Sequence, residues 1–176
     1  MIDSSQFDKV LITSDLHFGN EDIAIKLRGF NNTKEHDNLI LQNLKSELTS
    51  ESLLIVLGDI EDLNSIIRLS VSCKHIVMIL GNHDKIGPSI IGLPKNVEIT
   101  GPDYLDGKYV LSHFPIHECS FNIGERVTLI GNFHGHIHKP SKELAFDYNP
   151  ETPNDDRYTN VNIEFHDFKP FIYKLN

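Results

Sequence analysis

Five short segments gather the residues that can do chemistry: Asp15-Leu16-His17, Gly58-Asp59, Gly81-Asn82-His83-Asp84, His113, and Gly135-His136-Ile137-His138. They offer carboxylate and amide oxygens and imidazole nitrogens, with no thiolate among them. That donor mix suits Mn²⁺, Fe, Zn²⁺, Co²⁺ or Ni²⁺ better than Ca²⁺ or Mg²⁺ alone. Side chains at i and i+2 of an extended chain point the same way, so Asp15 pairs with His17 and His136 with His138. Taken singly the motifs are weak, since Asp-x-His is common and Gly-Asp also closes ordinary turns. Their order is the signal. The oxygens and imidazoles of these five segments are therefore the candidate metal ligands.

Each segment has an apolar run in front of it that can position it. Residues 9–14 lead into Asp15, 53–57 into Gly58-Asp59, 75–80 into Gly81-Asn82, 108–112 into His113, and 127–131 towards Gly135. Such runs read as buried strands, and ligands collect outside the carboxyl ends of strands in α/β sheets. Asn32 with Glu35 three residues later opens a helix carrying Ile40, Leu41, Leu44 and Leu48 at helical spacing. A second helix is expected over 62–72, with Leu63, Ile66, Ile67 and Val71 on one face. Helix–strand alternation predicts parallel pairing in the first half, and the strand-rich second half predicts hairpins, with strands near 97–100, 158–165 and 171–175. The expectation is one α/β domain over 1–176 with two packed sheets and helices outside. Residues 140–157, rich in Pro, Asp and Asn, are expected to form a mobile loop.

The ordered motifs resemble those of the calcineurin-like metallophosphoesterases, over the stretch from Asp15 to His138. Asp15-Leu16-His17-Phe18-Gly19 and the Arg157…Asn160-Val161 stretch further resemble a compact bacterial and phage branch of that family. The resemblance implies a four-layer α/β sandwich and a binuclear metal centre, with manganese the first choice. Asp15, His17 and His138 would hold one ion, Asn82, His113 and His136 the other, and Asp59 would bridge. His83 would be the catalytic histidine and proton donor, oriented by Asp84, in an attack by metal-activated hydroxide on a small phosphodiester or phosphomonoester. Two departures narrow the reading. Asn20 stands where the branch often has His. Asp62, Leu63 and Asn64 replace the Asp-Arg-Gly segment of Ser/Thr protein phosphatases and symmetrical dinucleoside tetraphosphatases, which speaks against both.

A net charge of −9 with scattered basic residues argues against a stable nucleic-acid partner, so a nuclease is the second reading. A non-catalytic metal-binding scaffold is the third. No membrane-spanning run or secretory signal stands out, and two cysteines outside any ligand spacing predict a reducing cytoplasm. Of the ten histidines, His36 and His75 are expected as helix-surface and strand-start residues, and His117, His134 and His166 as structural. Arg28, Arg126 and Arg157 are candidate phosphate contacts, because guanidinium matches phosphate geometry.

Overall fold

In the computed structural model, which describes residues 1–85, 92–123, 127–139 and 155–175, the apolar runs form strands, except that the run over 127–131 is split between two short ones and two more strands join them. The strands are β1 (Val10–Thr13), β2 (Leu53–Leu57), β3 (His75–Ile79), β4 (Val97–Thr100), β5 (Asp103–Leu105), β6 (Tyr109–Leu111), β7 (Asn122–Ile123), β8 (Val127–Thr128), β9 (Gly131–His134), β10 (Tyr158–Asn160) and β11 (Phe171–Tyr173). One sheet has the order β11-β1-β2-β3-β4, parallel throughout except for β11; the second runs β10-β9-β6-β5.

Alternation along the strands sorts the core into two layers. Leu11, Leu54, Val56, Ile76 and Met78 face the helices, packing with Ile40, Leu44 and Ile66. Val10, Ile12, Leu53, Ile55 and Val77, with Tyr173 of β11, face the second sheet, meeting Leu111 and Phe133. Strands buried on both faces need no polar alternation, which is why β1 and β2 read as unbroken apolar runs. Helix α1 (Thr33–Glu47) starts where Asn32 Oδ1 accepts the Glu35 N–H at 2.9 Å, and α2 (Leu63–Ser70) is capped by Asp62. The fold is the expected α/β sandwich of two mixed sheets. Its outer layer over the second sheet is thin among the described residues, a 3₁₀ turn at Glu118–Phe121 burying Phe121 against Val110 and Leu129.

Several expectations are corrected. Only β5–β6 is a hairpin of the second sheet; β6–β9 and β9–β10 are parallel, because their long connections return each strand in the same sense. The run expected at 158–165 breaks after Asn160 into a 3₁₀ turn, Ile163–His166, whose first N–H groups Asn162 caps. Residues 22–27 form a π-helix that no periodicity announced. Val71 is 84% exposed, beyond the end of α2. Most of the loop expected over 140–157, and Arg126, lie outside the described residues. No helix among the described residues is long and apolar enough to cross a membrane.

Candidate metal centre

Three loops leave the carboxyl ends of β1, β2 and β3 and are tied to one another through the backbone. The Asp15 N–H donates to Gly58 O and the His17 N–H to Asp59 O, both at 2.9 Å. Asp84 accepts four backbone N–H groups, from Asp59, Ile60, Glu61 and Gly81, at 2.7–2.9 Å. The resulting bends are tight. Of the eight non-glycine residues with left-handed φ among the described residues, five are Asp15, His17, Asp59, Glu61 and His136. Such backbone costs on the order of 1–3 kcal/mol per residue and persists only where surroundings enforce it. Gly81 fits between the loops because a Cβ there would collide with the Asp59 carboxylate.

All seven candidate ligands come together on these loops and on those after β6 and β9. Ligand atoms of Asp15, His17 and His138 lie within 4.8 Å of one another, as do those of Asp59, His113 and His136. Asp59 stands between the two sets, with Oδ2 3.7 Å from His17 Nε2 and 3.4 Å from His113 Nε2. Asn82 Oδ1 closes the second set, 2.9 Å from His113 Nε2 and 3.1 Å from His136 Nδ1.

Hydrogen bonds on the far side of each ring decide which nitrogen faces inward. His17 Nδ1 donates to Glu61 Oε1 at 2.6 Å, His138 Nδ1 to Glu164 Oε1 at 2.7 Å, and His113 Nδ1 to Leu57 O at 2.8 Å. Each ring, when neutral, turns an Nε2 lone pair towards carboxylates. This is the arrangement that orients imidazole for a metal. His17 Nε2 is buried with no hydrogen-bond partner, 4.0 Å from Asp15 Oδ1. A buried lone pair facing two carboxylates is costly unless a cation joins them. The donor set therefore fits divalent metal.

The protonation balance carries the same tension. Burial would raise the Asp59 carboxyl, but the hydrogen bond and charge of His113 outweigh it and hold it at about 2. Burial likewise opposes the Glu164 carboxylate, yet His138 and Arg28 keep it at about 2. Burial pushes His17 and His136 down; for His113 and His138 the partner carboxylates overcome burial and push them up.

Other candidate residues land differently. His83 lies on the open side, its side chain 48% exposed, with Nδ1 3.8 Å from Glu61 Oε1. Asp84 is not its orienting partner: both its oxygens are taken by the backbone N–H groups of the loops, so the carboxylate beside the His83 ring is that of Glu61. Arg28 is no phosphate contact. Its side chain is 1% exposed and bonds Glu164, His36 Nε2 and the carbonyls of Asp15 and Leu16. His36 is not a surface residue either, since it is fully buried between Arg28 and Asp37. Arg157 pairs with Asp155 and lies over the Phe121 ring. His134 is buried, its Nδ1 on Gly135 O; His117 caps a 3₁₀ turn, His75 faces Glu98 and His166 bonds Asn160 O.

Glu61 and Glu164 escaped sequence reasoning. Glu61 carried one signal, its i+2 spacing from Asp59; Glu164 carried none, being 26 residues from His138. Asn20, at the position where the branch often has His, donates to Glu61 at 2.7 Å and so holds the same carboxylate.

A family model described as calcineurin-like phosphoesterase matches residues 8–170. No curated protein matches the chain. Among solved structures, a protein of unknown function from Aquifex aeolicus, AQ665, is similar, with 28% identity, a TM-score of 0.64 and coverage of 93% of this chain and 95% of that one. With a match spanning nearly the whole sequence and a loop cluster whose donors fit divalent metal, the chain belongs to the calcineurin-like phosphoesterase family.

Proposed function

We propose that the protein hydrolyses a small phosphodiester or phosphomonoester at a binuclear centre, with Mn²⁺ its first metal. The observation that carries the reading is Asp59 Oδ2 lying between His17 Nε2 and His113 Nε2, which joins two ligand sets through one carboxylate. Asp15, His17 and His138 would hold one ion, Asn82, His113 and His136 the other, and Asp59 would serve both. Two such ions supply Lewis acidity to the phosphoryl oxygens and a water acidic enough to ionise near neutral pH. Because Asn82 is a neutral ligand, the two aspartates would not neutralise two divalent ions, and the remaining positive charge would favour an anionic ester within a chain of net charge −9.

His83 supplies the proton. Its half-exposed ring stands at the mouth of the centre with Glu61 beside it, and protonates the leaving oxygen. General acids of this kind contribute about 10²–10⁴-fold. His83→Ala is therefore expected to lose rate within that range while keeping its metal, and Asp59→Asn to lose both. Metal content per chain after Mn²⁺ loading, read beside turnover of aryl phosphate mono- and diesters, 2′,3′-cyclic nucleotides and short oligonucleotides, tests this. Less than one metal per chain with no ester hydrolysed would overturn it, and turnover of oligonucleotides alone would make the protein a nuclease.

A further inference from the structure

A cleft of about 500 Å³ opens at the same edge of the sandwich as the metal centre. Its walls are the ends of β3, β4 and β6 and the loops that follow them. That volume is within the ~300–1,000 Å³ typical of small-ligand sites. Leu80, Pro102, Phe114, Pro115 and Ile116 give it a largely carbon lining, and no lysine or arginine lines it among the described residues. His113 belongs to both places: it lines the cleft, while its Nε2 faces Asp59 and Asn82.

Phe114 forms the wall nearest the metal ligands. Its ring centroid is 4.4 Å from that of His136 and 4.8 Å from that of His113, yet the residue is 49% exposed. An exposed phenyl ring is unremarkable on a loose loop, but this loop is pinned. Ser112 Oγ donates to Phe114 O at 2.6 Å, the Ile116 N–H to Asn132 Oδ1 at 3.0 Å, and Tyr158 OH to Ile116 O at 2.7 Å. Asn132 is buried, and its amide bonds Val110 O, Ser112 Oγ and Phe133 O. The chain thus fixes a flat apolar surface beside two histidines of the centre, and the preformed wall costs little ordering when a ring settles on it.

We infer that this cleft seats an aromatic organic group of the phosphate ester, stacked on Phe114 while the phosphoryl group lies at the metal centre; the inference rests on the phosphoesterase reading above. Offset stacking on Phe114 and contact with Leu80, Pro102 and Ile116 favour an aryl group over a methyl group, whereas the lining holds no lysine or arginine among the described residues for a second phosphate.

Two pairs of compounds test it on Mn²⁺-loaded protein. p-Nitrophenyl phenyl phosphate and methyl p-nitrophenyl phosphate share a leaving group and differ only in the group left on phosphorus. Phenylphosphonate and methylphosphonate repeat the contrast without turnover, by calorimetry. The wild type is expected to favour the phenyl member of each pair by about tenfold or more, in kcat/KM and in Kd. Phe114→Ala and the milder Ile116→Thr are each expected to shrink both ratios to about threefold or less. Equal phosphonate affinities in the wild type, or ratios unmoved in both variants, would overturn the inference. If no ester is hydrolysed but phenylphosphonate is still preferred and Phe114→Ala removes the preference, the cleft stands and the phosphoesterase reading falls.

Discussion

Glu61 carries more of the site than its half-exposed position suggests. One carboxylate oxygen accepts from His17 and from Asn20 and lies beside His83, so it sets the tautomer of a proposed ligand and flanks the proposed proton donor. Burial would raise this carboxyl, but the bonds from His17 and Asn20 outweigh it and keep it ionised. Without it the His17 ring loses its anchor, and either nitrogen can carry the proton. Partners of this kind are worth about 10–100-fold in metal affinity. Glu61→Ala is expected to weaken Mn²⁺ binding by that factor and to cost the metal-free protein about 1–3 kcal/mol, since it strips the buried His17 Nδ1–H of its acceptor. Metal titration by calorimetry, with a melting curve of the metal-free variant, checks it; unchanged affinity would reduce Glu61 to a surface acid.

At the scale of elements, the site depends on how three strand-end loops are held. Asp84 holds two of them. Its carboxylate accepts the N–H groups of Asp59, Ile60 and Glu61 after β2 and of Gly81 after β3. Removing it leaves several N–H groups short of a partner, at about 1–3 kcal/mol for each one that water cannot reach. Asp84→Ala is therefore expected to lower stability by at least about 2 kcal/mol and to weaken metal binding. Had Asp84 served only to orient His83, the same variant would lose rate with stability and metal intact. Urea unfolding together with metal content separates the two. The contrast also shows what was legible beforehand. Most candidate ligands could be read because an apolar run stands just before them, and a strand end is a local feature; His136 and His138 follow the mixed Gly131–His134 strand instead. Glu164, Arg28 and His36 could not be read, because their bonds depend on where the π-helix, α1 and the last 3₁₀ turn meet. A charged residue destined for burial looks in sequence like any surface charge. The parallel course of β6, β9 and β10 was hidden for a related reason: short strands with long connections carry no local mark of direction.

For the whole molecule, the hydrogen-bonded chain from Asp37 through the buried His36, Arg28 and Glu164 to His138 joins α1 to the candidate metal centre, so pH should act on fold and site together. Glu164 is held at about 2 against an ordinary 4.5. A carboxyl depressed on folding contributes stability that is whole above about pH 4.5 and is lost as pH falls towards about 2. Its size is on the order of 3 kcal/mol, counting its pairing with His138 once. Asp59, also held at about 2, adds to the same acid loss. His113 and His138 are raised, so their contribution is present below about 6.5 and fades as pH climbs through their higher folded values. His17, His134 and His136 are lowered and act the opposite way, so between about pH 4.5 and 6.5 the histidines oppose one another and the metal-stripped protein should fall steeply only below that window. Metal must displace the protons on His113 and His138, so its affinity should climb as pH rises above that window. Urea midpoints of stripped protein from about pH 3 to 8, with Mn²⁺ titrations over the upper half, measure both limbs. Glu164→Gln should start lower, because Arg28 loses a buried counter-charge worth about 3–5 kcal/mol, yet fall less steeply in acid. A stripped wild type whose midpoint holds from about pH 5 to 3 would mean that the Arg28–Glu164–His138 pairing contributes nothing to the fold.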